Sequence, residues 1–111
     1  MPVKTLSDLL YKAGAMQVSG TPGIPVNHIC FDSKQCKPGS LFIAVKGSRN
    51  DGHEFIEQSV VQGAIAVVCE QMPVKIKSEI TYVRVANSKM SLGIIASNFY
   101  DNPSTHLNLV G

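Results

Sequence analysis

Apolar and polar positions alternate along this 111-residue chain in a rhythm that changes period several times. Val3, Leu6, Leu9 and Leu10 share one helical face, and Thr5 with Asp8 three positions later resembles a capping box, so a first helix is predicted over about residues 6 to 13, ending near Gly14. The Ser19 to Pro25 stretch is rich in Gly and Pro and reads as a surface loop. Asn27 to Phe31 then alternates as a strand, and Ser40 to Val45 is an almost unbroken apolar run, the pattern of a strand covered on both faces.

Asp51 is placed to cap a second helix, with Glu54 at the reciprocal position and Phe55, Ile56, Ser59, Val60 and Gly63 as its inward stripe. Ile65 to Cys69 and Thr81 to Val85 read as further buried strands, separated by the Lys-rich loop 75 to 79. Asn87 caps a third helix that carries Leu92, Ile95, Ala96 and Phe99 inward, and Pro103 closes it. This succession predicts a single small α/β domain whose sheet is mostly parallel or mixed and is flanked by about three helices.

Composition narrows the function classes. With 44% hydrophobic and 16% charged residues the chain suits one core, and no stretch reaches the roughly 20 apolar residues of a membrane span. Ten Lys and Arg residues are scattered, giving a net charge of +2, a pattern that speaks against nucleic acid as a partner and leaves room for a phosphorylated ligand. The three cysteines show no Cys-x-x-Cys spacing, so neither a disulfide framework nor a zinc site is expected. Cys30 and Cys69 read as reduced core residues and Cys36 as a partly exposed one. With no signal-peptide core at the start, a cytoplasmic location is the simplest expectation.

Several catalytic devices are missing from the sequence. A Walker loop requires Gly, four residues, then Gly-Lys-Ser/Thr, so that backbone N–H groups surround the phosphates; no such string occurs, nor does a Gly-x-Gly-x-x-Gly fingerprint. His28, His53 and His106 lack metal-ligand spacing, and no catalytic or metal-binding residue is assigned. What remains is a pair of loops around one buried strand: Asp32-Ser33-Lys34 at a strand end, and 46 to 52 leading into a helix start. They could converge where α/β proteins commonly place ligands, although the same residues also suit plain turn, cap and solvated-charge roles.

Asp32-Ser33-Lys34, Lys37-Pro38-Gly39-Ser40-Leu41-Phe42, Gly47, Asp51-Gly52-His53, Gly63 to Val68 and Phe99 to Ser104, taken in this order, resemble the amino-terminal domain of the Mur ligases, most closely the MurE type, over nearly the whole chain. Leu107 to Gly111 looks like the strand that in the family leads into the ATP-binding glycine loop. The resemblance implies that residues 1–103 bind the uridine nucleotide end of UDP-N-acetylmuramoyl-dipeptide, and that 104–111 begin the link to central and carboxy-terminal domains of the same ligase. It implies that Phe31 and Ser33 line the uridine site and that Ser48, Arg49 and Asn50 close over the nucleotide. No cofactor is expected on this segment, ATP and Mg2+ being those of the full-length enzyme. Lys34 stands where the family usually has Arg, losing a planar fork for phosphate, and Ser40 replaces an acidic residue. The related MurF amino-terminal domain and a free-standing nucleotide-sugar binding module are the other readings.

Overall fold

A computed structural model describes residues 4–45 and 52–100, with Ser33, Gly52 and His53 described by backbone only. The elements run β1 (Lys4–Thr5), α1 (Leu6–Leu9), β2 (Ala15–Ser19), β3 (Pro25–Val26), β4 (His28–Cys30), β5 (Ser40–Ile43), α2 (Ile56–Val61), β6 (Ala64–Cys69), β7 (Thr81–Val85) and α3 (Ser88–Phe99). Short 3-10 turns precede β5, at Ser33–Gln35, and α2, at Gly52–Phe55. The main sheet has the order β2-β7-β6-β5-β4, with β4 to β7 parallel and β2 antiparallel on the β7 edge. This is the mixed α/β sheet with three helices that the sequence predicts.

Strand alternation divides the core into two layers. Leu41, Ile43, Ala66, Val68, Val83 and Val85 point to the side of α1 and α3, where Leu6, Leu9 and Ile95 complete one cluster. Phe42, Ala44, Val67, Cys69 and Tyr82 point the other way, toward Ile56 of α2 and the paired Cys30 and Cys36. A sheet covered on both faces accounts for strands that are apolar at successive positions.

Local chemistry sets the element ends. Thr5 and Asp8 form the capping box: Thr5 Oγ1 accepts from the Asp8 N–H at 3.2 Å and the Asp8 carboxylate accepts from the Thr5 N–H at 3.1 Å. Carbonyls of the Gly- and Pro-rich loop take the next donors, Leu6 N–H to Ile24 O and Ser7 N–H to Pro22 O, both 2.8 Å. The helix itself is shorter than its apolar pattern, because the chain turns after Leu9 and Lys12 adopts a φ of +63°. The carbonyl at its end and those of the turn that follows are satisfied from α3: Asn98 Nδ2 donates to Leu9 O at 2.9 Å and Tyr11 O at 2.8 Å, and Ser91 Oγ donates to Ala13 O at 2.7 Å. Asn87 caps α3 as predicted, its side chain accepting from the Met90 N–H at 3.1 Å.

Besides the shortened α1 and the two-residue strands β1 and β3, three features depart from the sequence pattern. β2 is a strand that the pattern leaves unmarked, an edge strand with Met16 and Val18 exposed. The α-helical part of the second helix starts only at Ile56 after a 3-10 turn, so Phe55 is partly exposed rather than inward, while Ile56 and Ser59 are buried as expected; the proposed cap Asp51 lies outside the described residues, as does the closing Pro103. The third departure concerns the cysteines. Cys30 and Cys36 are joined as a disulfide with Cα atoms 5.8 Å apart, and Cys36 is buried, against the expectation of reduced thiols with Cys36 partly exposed. Cys69 is free and buried, as the sequence suggests, and burial pushes its thiol up to about 11, partly opposed by the nearby Arg84 charge.

Candidate functional site

Parallel pairing of β4 with β5, in the register His28 to Ser40 and Cys30 to Phe42, brings the carboxyl ends of both strands to the same sheet edge. The chain leaves β4 there through Phe31 and the 31–35 turn, and leaves β5 through Ala44 and Val45 toward residues 46–50. The two loops singled out in the sequence therefore start side by side. Phe31 stands 60% exposed at this edge, an aromatic ring left open to solvent beside a turn. Ser33 opens the 3-10 turn on the backbone directly after it. Ser48, Arg49 and Asn50 lie outside the described residues.

Asp32 shapes this turn. Its Oδ1 accepts from the Lys34 N–H at 3.0 Å and its carbonyl accepts from the Gln35 N–H at 2.9 Å, an arrangement in which a short carboxylate takes the place of a backbone acceptor. Asp32 thus holds the loop, while the exposed Lys34 leaves a cationic side chain at the same edge. The turn also packs against α2, and the disulfide fastens its two ends.

The Lys37-Pro38-Gly39-Ser40 motif sits at the opposite end of β5 and serves the fold. Ser40 N–H donates to Lys37 O at 3.0 Å, with Pro38 and Gly39 at the corner and Gly39 at φ +85°, the signature of a type II turn. Ser40 Oγ accepts from the Lys37 N–H at 2.8 Å. Gly39 N–H in turn donates to Gly63 O at 3.0 Å, tying the end of the second helix to this corner.

Another helix terminus reaches the carboxyl edge, but it is already occupied. The Glu70 carboxylate accepts from the Ser88 N–H at 2.9 Å and the Ser88 hydroxyl at 2.8 Å, filling the amino-terminal end of α3 with protein negative charge. A phosphate there would meet like charge. A cleft of about 310 Å³ between α2 and the 73–77 loop is rimmed by Glu54, Glu57, Lys75 and Lys77, carboxylates and ammonium groups together, and includes none of the sequence-predicted residues. Among the described residues no three His, Cys, Asp or Glu side chains cluster as a metal site.

The fold is that of a small α/β domain in which four parallel strands bring their carboxyl ends to one edge. The family model described as "Mur ligase family, catalytic domain" matches residues 25–100, and the chain belongs to the Mur ligase family. It is 48% identical over 107 residues to the UDP-N-acetylmuramoyl-L-alanyl-D-glutamate–2,6-diaminopimelate ligase of Cytophaga hutchinsonii, covering 96% of this chain and 22% of that protein. It is 37% identical over 106 residues to the ligase of the same name from Bacteroides fragilis, with the same coverages. The chain thus spans about a fifth of the curated relatives it matches. In structure it resembles MurF from Acinetobacter baumannii, with a TM-score of 0.71 at 26% identity over 88% of this chain and 22% of that one. It also resembles MurF from Thermotoga maritima in complex with ADP, with a TM-score of 0.55 at 32% identity over 64% of this chain and 16% of that one.

Proposed function

We propose that residues 1–103 are the uridine-nucleotide-binding domain of a MurE-type ligase, which holds the UDP end of UDP-N-acetylmuramoyl-L-alanyl-D-glutamate while the rest of the ligase adds 2,6-diaminopimelate. The observation that carries this reading is the exposed Phe31 ring at the shared carboxyl edge of β4 and β5, in a chain of this family. An aromatic face left in solvent suits stacking on uracil. In this reading the Ser33 hydroxyl hydrogen-bonds the uridine, Asp32 keeps the turn in shape, and Ser48, Arg49 and Asn50 close over the diphosphate. Residues 104–111 lead into the ATP-binding domain.

ATP and Mg2+ belong to that domain, where ATP activates the peptide carboxylate for attack by the amine of the diamino acid. The residues described here do not suit either group: there is no glycine phosphate loop in the sequence and no carboxylate cluster for a cation among the described residues. The partners of this chain are then the nucleotide substrate and the remaining domains of the ligase, in the cytoplasm; among the described residues no helix is long and apolar enough to cross a membrane. The MurF reading draws on the structural neighbours, but the relatives that are 48% and 37% identical carry the diaminopimelate ligase name.

Titrating the 15N-labelled chain with UDP tests the site. Amide signals of Phe31, Ser33 and residues 48–50 should move, and Phe31→Ala should weaken binding roughly 5- to 150-fold if stacking on the base is worth 1–3 kcal/mol. Unchanged signals at these positions under millimolar UDP would refute the assignment.

A further inference from the structure

The Cys30–Cys36 pair encloses the turn that carries Phe31 and Ser33. We propose that it is a reversible dithiol–disulfide, an oxidative modification site that switches this turn between a tethered and an open form. The part of the inference that concerns ligand affinity rests on the reading of Phe31 and Ser33 as nucleotide contacts.

Both redox states are provided for in the surroundings. The two cysteines are separated by six positions, with Cα atoms 5.8 Å apart, a spacing from which a disulfide closes without backbone movement. Each sulfur also has a backbone carbonyl within reach: Leu41 O lies 3.7 Å from Cys30 Sγ, and Asp32 O lies 3.8 Å from Cys36 Sγ. On reduction those carbonyls receive the two S–H protons, so neither thiol is stranded in the apolar layer formed with Phe42, Ala44 and Ile56. The third cysteine cannot substitute, because Cys69 is buried on β6 with its thiol near the Val83 carbonyl.

Oxidation proceeds by exchange with a low-molecular-weight disulfide of the glutathione class. One cysteine thiolate attacks that disulfide and expels one small thiolate; the other then attacks the mixed disulfide, forms the Cys30–Cys36 bond and expels the second. Two electrons pass from the protein sulfurs to the small molecule, and the two cysteine protons end on the expelled thiolates. Both cysteines are more than nine-tenths buried, so exchange requires the 31–35 turn to lift off α2 first. Closing the bond holds Phe31 and Ser33 in one conformation, which lowers the ordering cost of binding between them and a nucleotide. In a reducing compartment such a bond is transient and sensing in character.

The experiment equilibrates the chain in a series of reduced to oxidised glutathione, then alkylates in denaturant and counts thiols by intact mass. Three reactive thiols in reducing buffer and one, Cys69, in oxidising buffer are expected. Amide signals of residues 31–35 should differ between the two forms, and UDP should bind the oxidised form about three- to tenfold more tightly. Cys36→Ser should keep two thiols throughout and lose the redox dependence of both readouts. Three thiols in fully oxidising buffer, a bond that excess dithiothreitol leaves intact, identical 31–35 signals in both forms, or equal UDP affinities would each overturn the proposal. If the turn signals follow the redox state while UDP binds neither form, the switch stands and the nucleotide assignment falls.

Discussion

Replacing Gly63 by Ala should be among the most damaging single-methyl additions this fold can receive. Gly63 has a φ of +118°, a region that a side chain makes costly by about 1–2 kcal/mol. The added Cβ would lie 2.6 Å from both Cα and N of Pro38 and 2.9 Å from the carbonyl carbon of Lys37. These are backbone atoms of a hydrogen-bonded turn, which cannot swing aside as the end of a flexible side chain could. Relief requires the corner to move away from α2, weakening the 3.0 Å bond from Gly39 N–H to Gly63 O, worth about 1 kcal/mol. Together these give a loss of about 2–3 kcal/mol, which for a urea slope near 1.5 kcal/mol/M lowers the unfolding midpoint by roughly 1.5–2 M. The matching control is Gly93→Ala on the exposed side of α3, where nothing lies within 4 Å of the new methyl; it should raise stability by about 0.5–1 kcal/mol. Urea denaturation followed by circular dichroism reads both. A Gly63→Ala midpoint within experimental error of the parent would refute the reasoning, since it would mean that the corner yields freely.

Other perturbations probe separate parts of the structure. Asn98→Ala strips two donors from the carbonyls that end α1 and should cost about 1–2 kcal/mol in the same assay. Hydrogen bonds from Thr5 hold the Asp8 carboxyl below its ordinary value of 3.8, so its contribution is present above that pH and fades as pH falls through it; melting curves from pH 5 to 2 should show a shallower acid loss for Asp8→Asn. Cys69 shifts the opposite way: its thiol stays neutral in the fold up to about 11 against 9.0 when unfolded, so stability should decline between those values, and Cys69→Ala should flatten that alkaline slope. With the disulfide formed, Cys36→Ser should lower stability by roughly 2 kcal/mol relative to the parent, and far less when both are compared in dithiothreitol.

The parts of this molecule legible in its sequence are those decided within a few residues. Thr5 with Asp8, and Asn87 with Met90, bond across three positions, so the caps are visible without knowing the rest of the fold. β5, β6 and β7 are visible because burial on both faces leaves them mostly apolar, with Arg84 of β7 the exposed exception. β2 escapes the pattern because only its pairing with β7, far along the chain, makes it a strand, and at the edge it buries too little to alternate clearly. The disulfide escapes because spacing alone does not show that the 33–35 turn carries Cys36 back beside Cys30. Around the candidate site, the sequence places Phe31 and Ser33 just after a strand, but it does not show the openness of the Phe31 ring, nor that Asp32 shapes the turn and Lys37-Pro38-Gly39 the far end of β5.

The way α3 finishes α1 has a consequence for how the chain is made. Ser91 reaches Ala13 across 78 positions and Asn98 reaches Leu9 across 89. On a ribosome adding about 5–20 residues per second, the first helix waits roughly 4 to 18 s for the segment that completes it. Until then its last carbonyls face water, and the Leu6 and Leu9 side chains lack the Ile95 layer they later share. The α1 segment is therefore among the last parts of this domain to settle, and it is the stretch of the domain that a nascent-chain chaperone would have most time to hold.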